Sequence, residues 1–305
     1  MIKSMKLKKI HNLFYALFLS LFTFGVVVAD DYVPFKPPGR LLNIGFQTMY
    51  VDCLGTSSPT VLIDVGIAES SASWYKIAKK LSKDVRVCLY DRAGYGWSDP
   101  GRGERTTATI VHELNLLIKV AEIPGPYILV GHSFGGFTAR YFAAKFPKNV
   151  IGLVLVDSSH PEQIYRLSAL DSTEEKPLIT GRNGGAPEDF SEFEKKWYFL
   201  NSSRKATFAQ MGELKYFKQS AYQVKHSGPL RDIPLAVLTR GIGQLPELDG
   251  ISLENEWQEM QKELLKLSKN SWQAIIHNSG HNIHEEAPEA VIKNILEVVE
   301  KSKDY

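Results

Sequence analysis

Six short apolar runs recur along the chain, each closed by a turn signal: Thr60 to Val65, Val85 to Tyr90, Tyr127 to Val130, Val150 to Val156, Leu235 to Thr239 and Trp272 to His277. Runs that are apolar throughout, not at every second residue, suit strands buried on both faces. Between them lie helical patterns, clearest in Thr107 to Glu122 (TATIVHELNLLIKVAE) and again in Ala287 to Lys301. Strands alternating with helices predict an α/β fold, a mostly parallel, doubly wound sheet covered on both sides. At 305 residues with ordinary apolar and charged fractions, the chain suits one large domain, or one domain with an insertion.

Two features flank and interrupt that pattern. Arg40 to Ile44 and Phe46 to Cys53, joined at Gly45, read as a hairpin preceded by a proline-rich linker over residues 30–39. From Ser158 to Pro229 strand signals disappear, while aromatics accumulate from Phe190 to Tyr222 amid helix-compatible charged stretches. This predicts core segments 40–157 and 230–305 with a helical cap, residues 158–229, over the carboxyl ends of the strands, where open α/β sheets bind ligands. The plainer alternative is a surface excursion whose aromatics anchor it to the body.

The N-terminus obeys different rules. MIKSMKLKK carries four lysines and leads into the apolar run LFYALFLSLFTFGVVVA, which ends at Ala29 before Asp30-Asp31. Basic start, apolar middle and small residues at the end predict a signal peptide, residues 1–29, and a periplasmic or secreted protein. An uncleaved membrane anchor is the lesser alternative, because the run is slightly short for a span. Removing residues 1–29 changes the formal charge from +2 to 32 basic against 34 acidic residues, so no basic footprint for nucleic acid remains. Cys53 and Cys88 are either a disulfide, which an oxidising compartment would preserve, or two buried thiols. Oligomeric state is not encoded in any of these features.

The chemistry concentrates in Leu129-Val130-Gly131-His132-Ser133-Phe134-Gly135-Gly136. A G-x-S-x-G between an apolar strand and a helical stretch suits a sharp turn that lifts the Ser133 hydroxyl clear of the backbone at a helix N-terminus. A serine nucleophile needs a base, and His281 follows Gly280 in the loop after the last strand, on the rim that also carries Ser133. His284 is the alternative base or a supporting residue. His277, His281 and His284 have a metal-like spacing, but they run from strand into loop and no cysteine or acidic cluster completes a set, so no metal and no organic cofactor is expected.

The segments IDVGIAESSASW, VCLYDRAGYGWSDP, ILVGHSFGG, GLVLVDSSHPEQ and SGHNIHEEAPEAV, in this order, resemble the α/β-hydrolase superfamily, specifically its capped, esterase-like branch. The resemblance implies Ser133 as nucleophile, His281 as base, and an oxyanion hole from the amides of Phe134 and Ile67. It implies a structural role for the glycines and Asp91 of DRAGYGWSD. Relatives often carry a histidine before the glycine of the stretch that reads Asp64-Val65-Gly66 here, so the loop at Gly66-Ile67 departs from the usual pattern. The triad acid most often follows the strand ending at Thr239, yet Arg240 to Pro246 contains no carboxylate; Asp157, at the end of the preceding strand, is the preferred acid, with Asp249 and Glu247 as alternatives. The expected reaction is hydrolysis of a small-molecule carboxylic ester through an acyl-enzyme. Amidase or peptidase action, and a binding protein on the same scaffold, are the competing readings.

Overall fold

The computed structural model describes residues 35–167, 192–248 and 250–305. The expected signal peptide, part of the expected cap and Asp249 lie outside them. The strands are β1 Arg40–Asn43, β2 Thr48–Leu54, β3 Thr60–Asp64, β4 Arg86–Tyr90, β5 Tyr127–His132, β6 Val150–Val156, β7 Leu235–Arg240, β8 Glu247–Leu248, β9 Ile251–Ser252 and β10 Ser271–Ile276. The α-helices are α1 Tyr75–Leu81, α2 Thr107–Val120, α3 Gly135–Lys145, α4 Gln163–Arg166, α5 Glu192–Ser202, α6 Arg204–Lys215, α7 Phe217–Lys225, α8 Leu253–Glu263, α9 Ile283–Glu286 and α10 Pro288–Lys301.

Eight strands make one sheet in the order β1-β2-β4-β3-β5-β6-β7-β10. β1 and β2 form the expected hairpin, turning at Gly45 with φ +108°, and β2 runs antiparallel to β4. The pairs from β4 through β10 are parallel. Cys53 on β2 and Cys88 on β4 are register partners 4.1 Å apart at Cα, and they are joined as a disulfide. β8 and β9 form a separate ribbon, too short to leave a periodic signal in the sequence.

Every residue of β5 is buried, because alternate side chains enter two different cores. On one face Leu129 joins Leu62, Leu153 and Leu155 beneath Val111, Leu114 and Leu117 of α2 and Phe142 of α3. On the other, Ile128 and Val130 join Val61, Ile63 and Val154 beneath Ile77 and Leu81 of α1 and Val291, Ile295 and Val298 of α10. Each such side chain contributes about 1.5–3 kcal/mol by leaving water. The packing makes β5 a rigid stem for the residue that follows it. After β3 the chain moves outward to β4, whereas after β5 it moves the other way to β6, so a crevice opens above the carboxyl ends of β3 and β5.

The interval between β6 and β7 is helical where described. Phe217 of α7 packs against Phe134 and Phe137 at the start of α3, with ring centroids 5.7 Å and 5.3 Å apart. Of the aromatics noted in the sequence, Tyr198 and Phe217 are buried, whereas Phe208 and Tyr222 are exposed. Among the described residues no helix is long and apolar enough to cross a membrane.

Candidate active site

Ser133 follows β5 directly and takes φ +51°, a left-handed conformation rarely adopted by a residue with a Cβ. Its backbone is held from two sides: its amide donates to the Val156 carbonyl at 3.1 Å, and its carbonyl accepts from the Gly136 and Ser159 amides at 3.0 Å and 2.9 Å. The glycines are required by space. A Cβ at Gly135 would lie 2.3 Å from the Asp64 carbonyl oxygen, and one at Gly136 would lie 1.8 Å from Ser158 Oγ. α3 therefore starts tight against the β3 loop, and Ser133 stands at its head beside Phe134, the N-cap residue.

The loop after β3 holds Ile67, the other expected oxyanion donor. Its anchor is Arg92, completely buried, from the DRAGYGWSD segment. Arg92 Nη1 donates to Asp64 Oδ1 and to the Val65 carbonyl, each at 2.6 Å, and Nη2 donates to the Gly66 carbonyl at 2.8 Å. Its Nε and Nη2 also reach Glu213 of α6 at 2.8 Å and 3.0 Å. Tyr95 completes the lattice, donating to Glu213 at 2.9 Å and accepting from the Ala68 amide at 3.2 Å. Burial opposes the guanidinium charge, but Glu213 and then Asp64 more than offset it, so the pKa of Arg92 is held above its ordinary value. Asp64 is thus an anchor for the arginine, and also accepts from Tyr90 at 2.7 Å.

Asp157 ends β6 in a second left-handed turn, φ +39°, and is fully buried. Its carboxylate accepts from His281 Nδ1 at 2.6 Å, Arg240 Nη1 at 2.9 Å, Trp257 Nε1 at 2.9 Å and the Arg240 amide at 3.2 Å. Burial raises its pKa, yet His281, Arg240 and Trp257 together carry it below the ordinary carboxylate value. A carboxylate only accepts, so Nδ1 of His281 bears the hydrogen and Nε2 carries the lone pair of a base. The His281 loop is pinned by Gln244, whose side chain accepts from the His281 amide at 3.1 Å, and by Glu286, which accepts from the Gly280 amide at 2.7 Å. Arg240 itself is shared with Glu254 of α8, at 3.1 Å and 2.9 Å.

A family model for the alpha/beta hydrolase fold matches residues 59–287. The chain belongs to this family. The hydrolase is 29% identical to the uncharacterized protein YqjL of Bacillus subtilis over 244 residues, covering 80% of this chain and 85% of that one. A longer relative, an uncharacterized protein of Schizosaccharomyces pombe, matches at 23% identity over 86% of the hydrolase but 56% of its own length. Among solved structures, a thermophilic esterase from Thermogutta terrifontis aligns with TM-score 0.56 at 22% identity, covering 84% of the hydrolase and 94% of the esterase. The epoxide hydrolase CorEH aligns with TM-score 0.63 at 19% identity, over 86% and 98% of the two chains. At these identities the likeness is one of fold.

The hydrolase thus brings Asp157 and His281 into contact at the strand ends that also carry Ser133. Glu247 sits exposed on the β8–β9 ribbon, and Asp249 lies outside the described residues. His277 is exposed, so the run His277, His281, His284 does not converge. His284 is buried beside Trp74, His132 and Glu69. Sequence reasoning missed Arg92, Glu213 and Arg240, whose side-chain partners lie 14 to 121 residues away and leave no local pattern.

Proposed function

We propose that this hydrolase is an exported serine esterase that cleaves a small-molecule carboxylic ester through an acyl-enzyme on Ser133. The observation that carries the reading is the 2.6 Å His281–Asp157 hydrogen bond, set on the rim where Ser133 takes its left-handed turn. In the forward step Ser133 Oγ attacks the ester carbonyl and His281 Nε2 takes its proton. The tetrahedral oxyanion is held by the amides of Phe134 and Ile67, the first favoured further by the start of α3. Asp157 keeps the imidazole in the required tautomer and stabilises the imidazolium, a role suited to a carboxylate held ionised. His281 returns the proton to the leaving alcohol, then activates water to release the acid. The helices between β6 and β7, joined to the oxyanion loop through Glu213 and Arg92, would act as the cap that selects the substrate.

Export is supported by the N-terminal pattern and by the Cys53–Cys88 disulfide, a bond that oxidising compartments preserve. The test of the chemistry is hydrolysis of p-nitrophenyl esters from acetate to long acyl chains, with Ser133→Ala and His281→Ala in parallel. Turnover lost in both folded variants is expected; turnover that survives Ser133→Ala would overturn the acyl-enzyme. N-terminal sequencing of the exported protein tests cleavage, and retention of residues 1–29 would refute it.

A further inference from the structure

His132, the residue before Ser133, is buried, and its Nε2 lies 3.1 Å from the His281 carbonyl oxygen. A carbonyl oxygen only accepts, so Nε2 carries a hydrogen and the lone pair of the neutral ring lies on Nδ1. That nitrogen is 3.2 Å from the Glu69 carboxylate, where lone pair meets lone pair unless a cation stands between them. A proton would answer this pair alone. It would leave His284, whose side chain is fully buried and stacked on Trp74 at 4.6 Å, with neither ring nitrogen hydrogen-bonded among the described residues. Nε2 of His284 points at the same carboxylate, 4.0 Å from Glu69 Oε1.

We propose that Glu69, His132 and His284 form a binding site for a divalent transition-metal ion of the zinc class. Their donor atoms all lie within 4.8 Å of one another. Zinc bonds of about 2.0–2.2 Å in tetrahedral geometry put ligand atoms roughly 3.4 Å apart, between the 3.2 Å and 4.0 Å separations seen here. Two imidazoles and one carboxylate are a donor set that zinc accepts while keeping a further position open, and Glu285 Oε1 stands 3.8 Å from His284 Nε2. The surroundings fit a liganding carboxylate. The Gly66 amide donates to Glu69 Oε2 at 3.0 Å, and a Cβ at Gly66 would crowd both His132 Nδ1, at 3.1 Å, and Glu69, at 3.3 Å. The three ligands come from the β3 loop, the end of β5 and α9, so a bound ion would clamp the oxyanion loop, the Ser133 turn and the His281 loop together. This set shares only His284 with the spacing that stands out in the sequence, because Glu69 and His132 are brought in by the fold.

The proposal does not depend on ester hydrolysis, and its test reads binding. The full chain, stripped of metal with a chelator and dialysed, is titrated with ZnCl₂ against a chromophoric competitor, and separately with CoCl₂ for its visible spectrum. One zinc ion per chain is expected, with an intense four- or five-coordinate cobalt spectrum lacking a thiolate band. Glu69→Gln and His284→Phe should each weaken zinc binding by more than the roughly 10- to 100-fold that loss of an outer-shell partner costs. His277→Ala, at an exposed position, should leave it unchanged. Zinc should also raise the Tm of the unaltered chain and not of the two variants. No stoichiometric binding by the folded chain, or the same affinity in all the variants, would overturn the site. If the variants fail to fold, the unaltered chain still decides: a weak octahedral cobalt spectrum means loosely held surface ions and refutes the proposal.

Discussion

Arg92→Met keeps the apolar length of the side chain and deletes five hydrogen bonds, two to Glu213 and one each to Asp64, the Val65 carbonyl and the Gly66 carbonyl. Both carboxylates stay buried, with the Tyr95 hydroxyl still donating to Glu213 and the Tyr90 hydroxyl to Asp64. Removing one partner of a buried ion pair costs about 3–5 kcal/mol, because the remaining charge is uncompensated. Protonation of Asp64, whose carboxyl pKa is already raised by burial, caps the penalty. The expected loss is about 4 kcal/mol at pH 7, a large part of the roughly 5–15 kcal/mol available to a folded domain. A carboxylate with a raised folded pKa, as Asp64 has, binds more protons folded than unfolded, so the variant recovers stability as pH falls and the penalty shrinks toward pH 5. Urea unfolding followed by tryptophan fluorescence, with the disulfide intact, measures both values. Arg92→Met with Glu213→Gln removes charge from both sides, and should be less destabilised than the sum of the single changes by about 1–3 kcal/mol. A single-variant cost below about 1 kcal/mol, or additivity within about 0.5 kcal/mol, would refute the claim that Arg92 is the charge-compensating anchor.

Asp157→Asn is expected to lower kcat for p-nitrophenyl esters by about 10⁴-fold by scrambling the His281 tautomer, while Glu247→Gln leaves it unchanged; equal effects of the two would remove Asp157 from the mechanism. His160 is pulled down to about 4 by burial and then by Arg140, and its Nδ1 already accepts the Glu162 amide at 3.2 Å. Its unfolded counterpart takes up a proton near pH 6.5, so folding loses about 1–2 kcal/mol between pH 7 and pH 5 through this residue. His160→Gln should flatten that part of the stability profile, and an unaltered slope would count against it. Cys53→Ala/Cys88→Ala opens a cross-link spanning 35 residues and should cost about 3–4 kcal/mol by urea unfolding; a loss below about 1 kcal/mol would mean that β2 and β4 hold their register unaided.

The strands were legible because burial on both faces writes continuous apolar runs, and each of the six runs lies within two residues of an observed strand boundary. Ser133 was legible for a local reason, since the turn that exposes it demands small residues at fixed offsets. Asp157 was harder. Its neighbour in the fold, His281, is 124 residues away, and nothing in GLVLVDSS distinguishes an acid that orients a histidine from one that caps a loop. Arg92 lay inside a segment read as structural, but its two carboxylates come from a strand end and from a helix far along the chain. Glu69 and His132 were invisible as a pair, because only the β3–β5 adjacency sets them side by side.

The backbone at the carboxyl ends of the sheet explains how these distant residues keep a common frame. Ser133 donates to Val156, Ser159 donates back to Ser133, Asp157 donates to Leu238, and Gly241 donates to Ile276, so β5, β6, β7 and β10 are laced together beyond the regular ladder. The two left-handed residues, Ser133 and Asp157, lie within that lacing, which supplies the constraint needed to hold strained backbone in place. Past Ser159, the described residues 160–167 and 192–229 lie outside the laced positions. On the proposed reading of the interval as a cap, changes there reshape what reaches Ser133 without shifting Ser133, His281 and Asp157 relative to one another. Glu213, through which α6 grips Arg92 and thereby the loop after β3, is an exception, and so is Phe217, packed against Phe134. Substitutions at Glu213 should therefore alter kcat, whereas those at exposed Phe208 and Tyr222 should leave it unchanged.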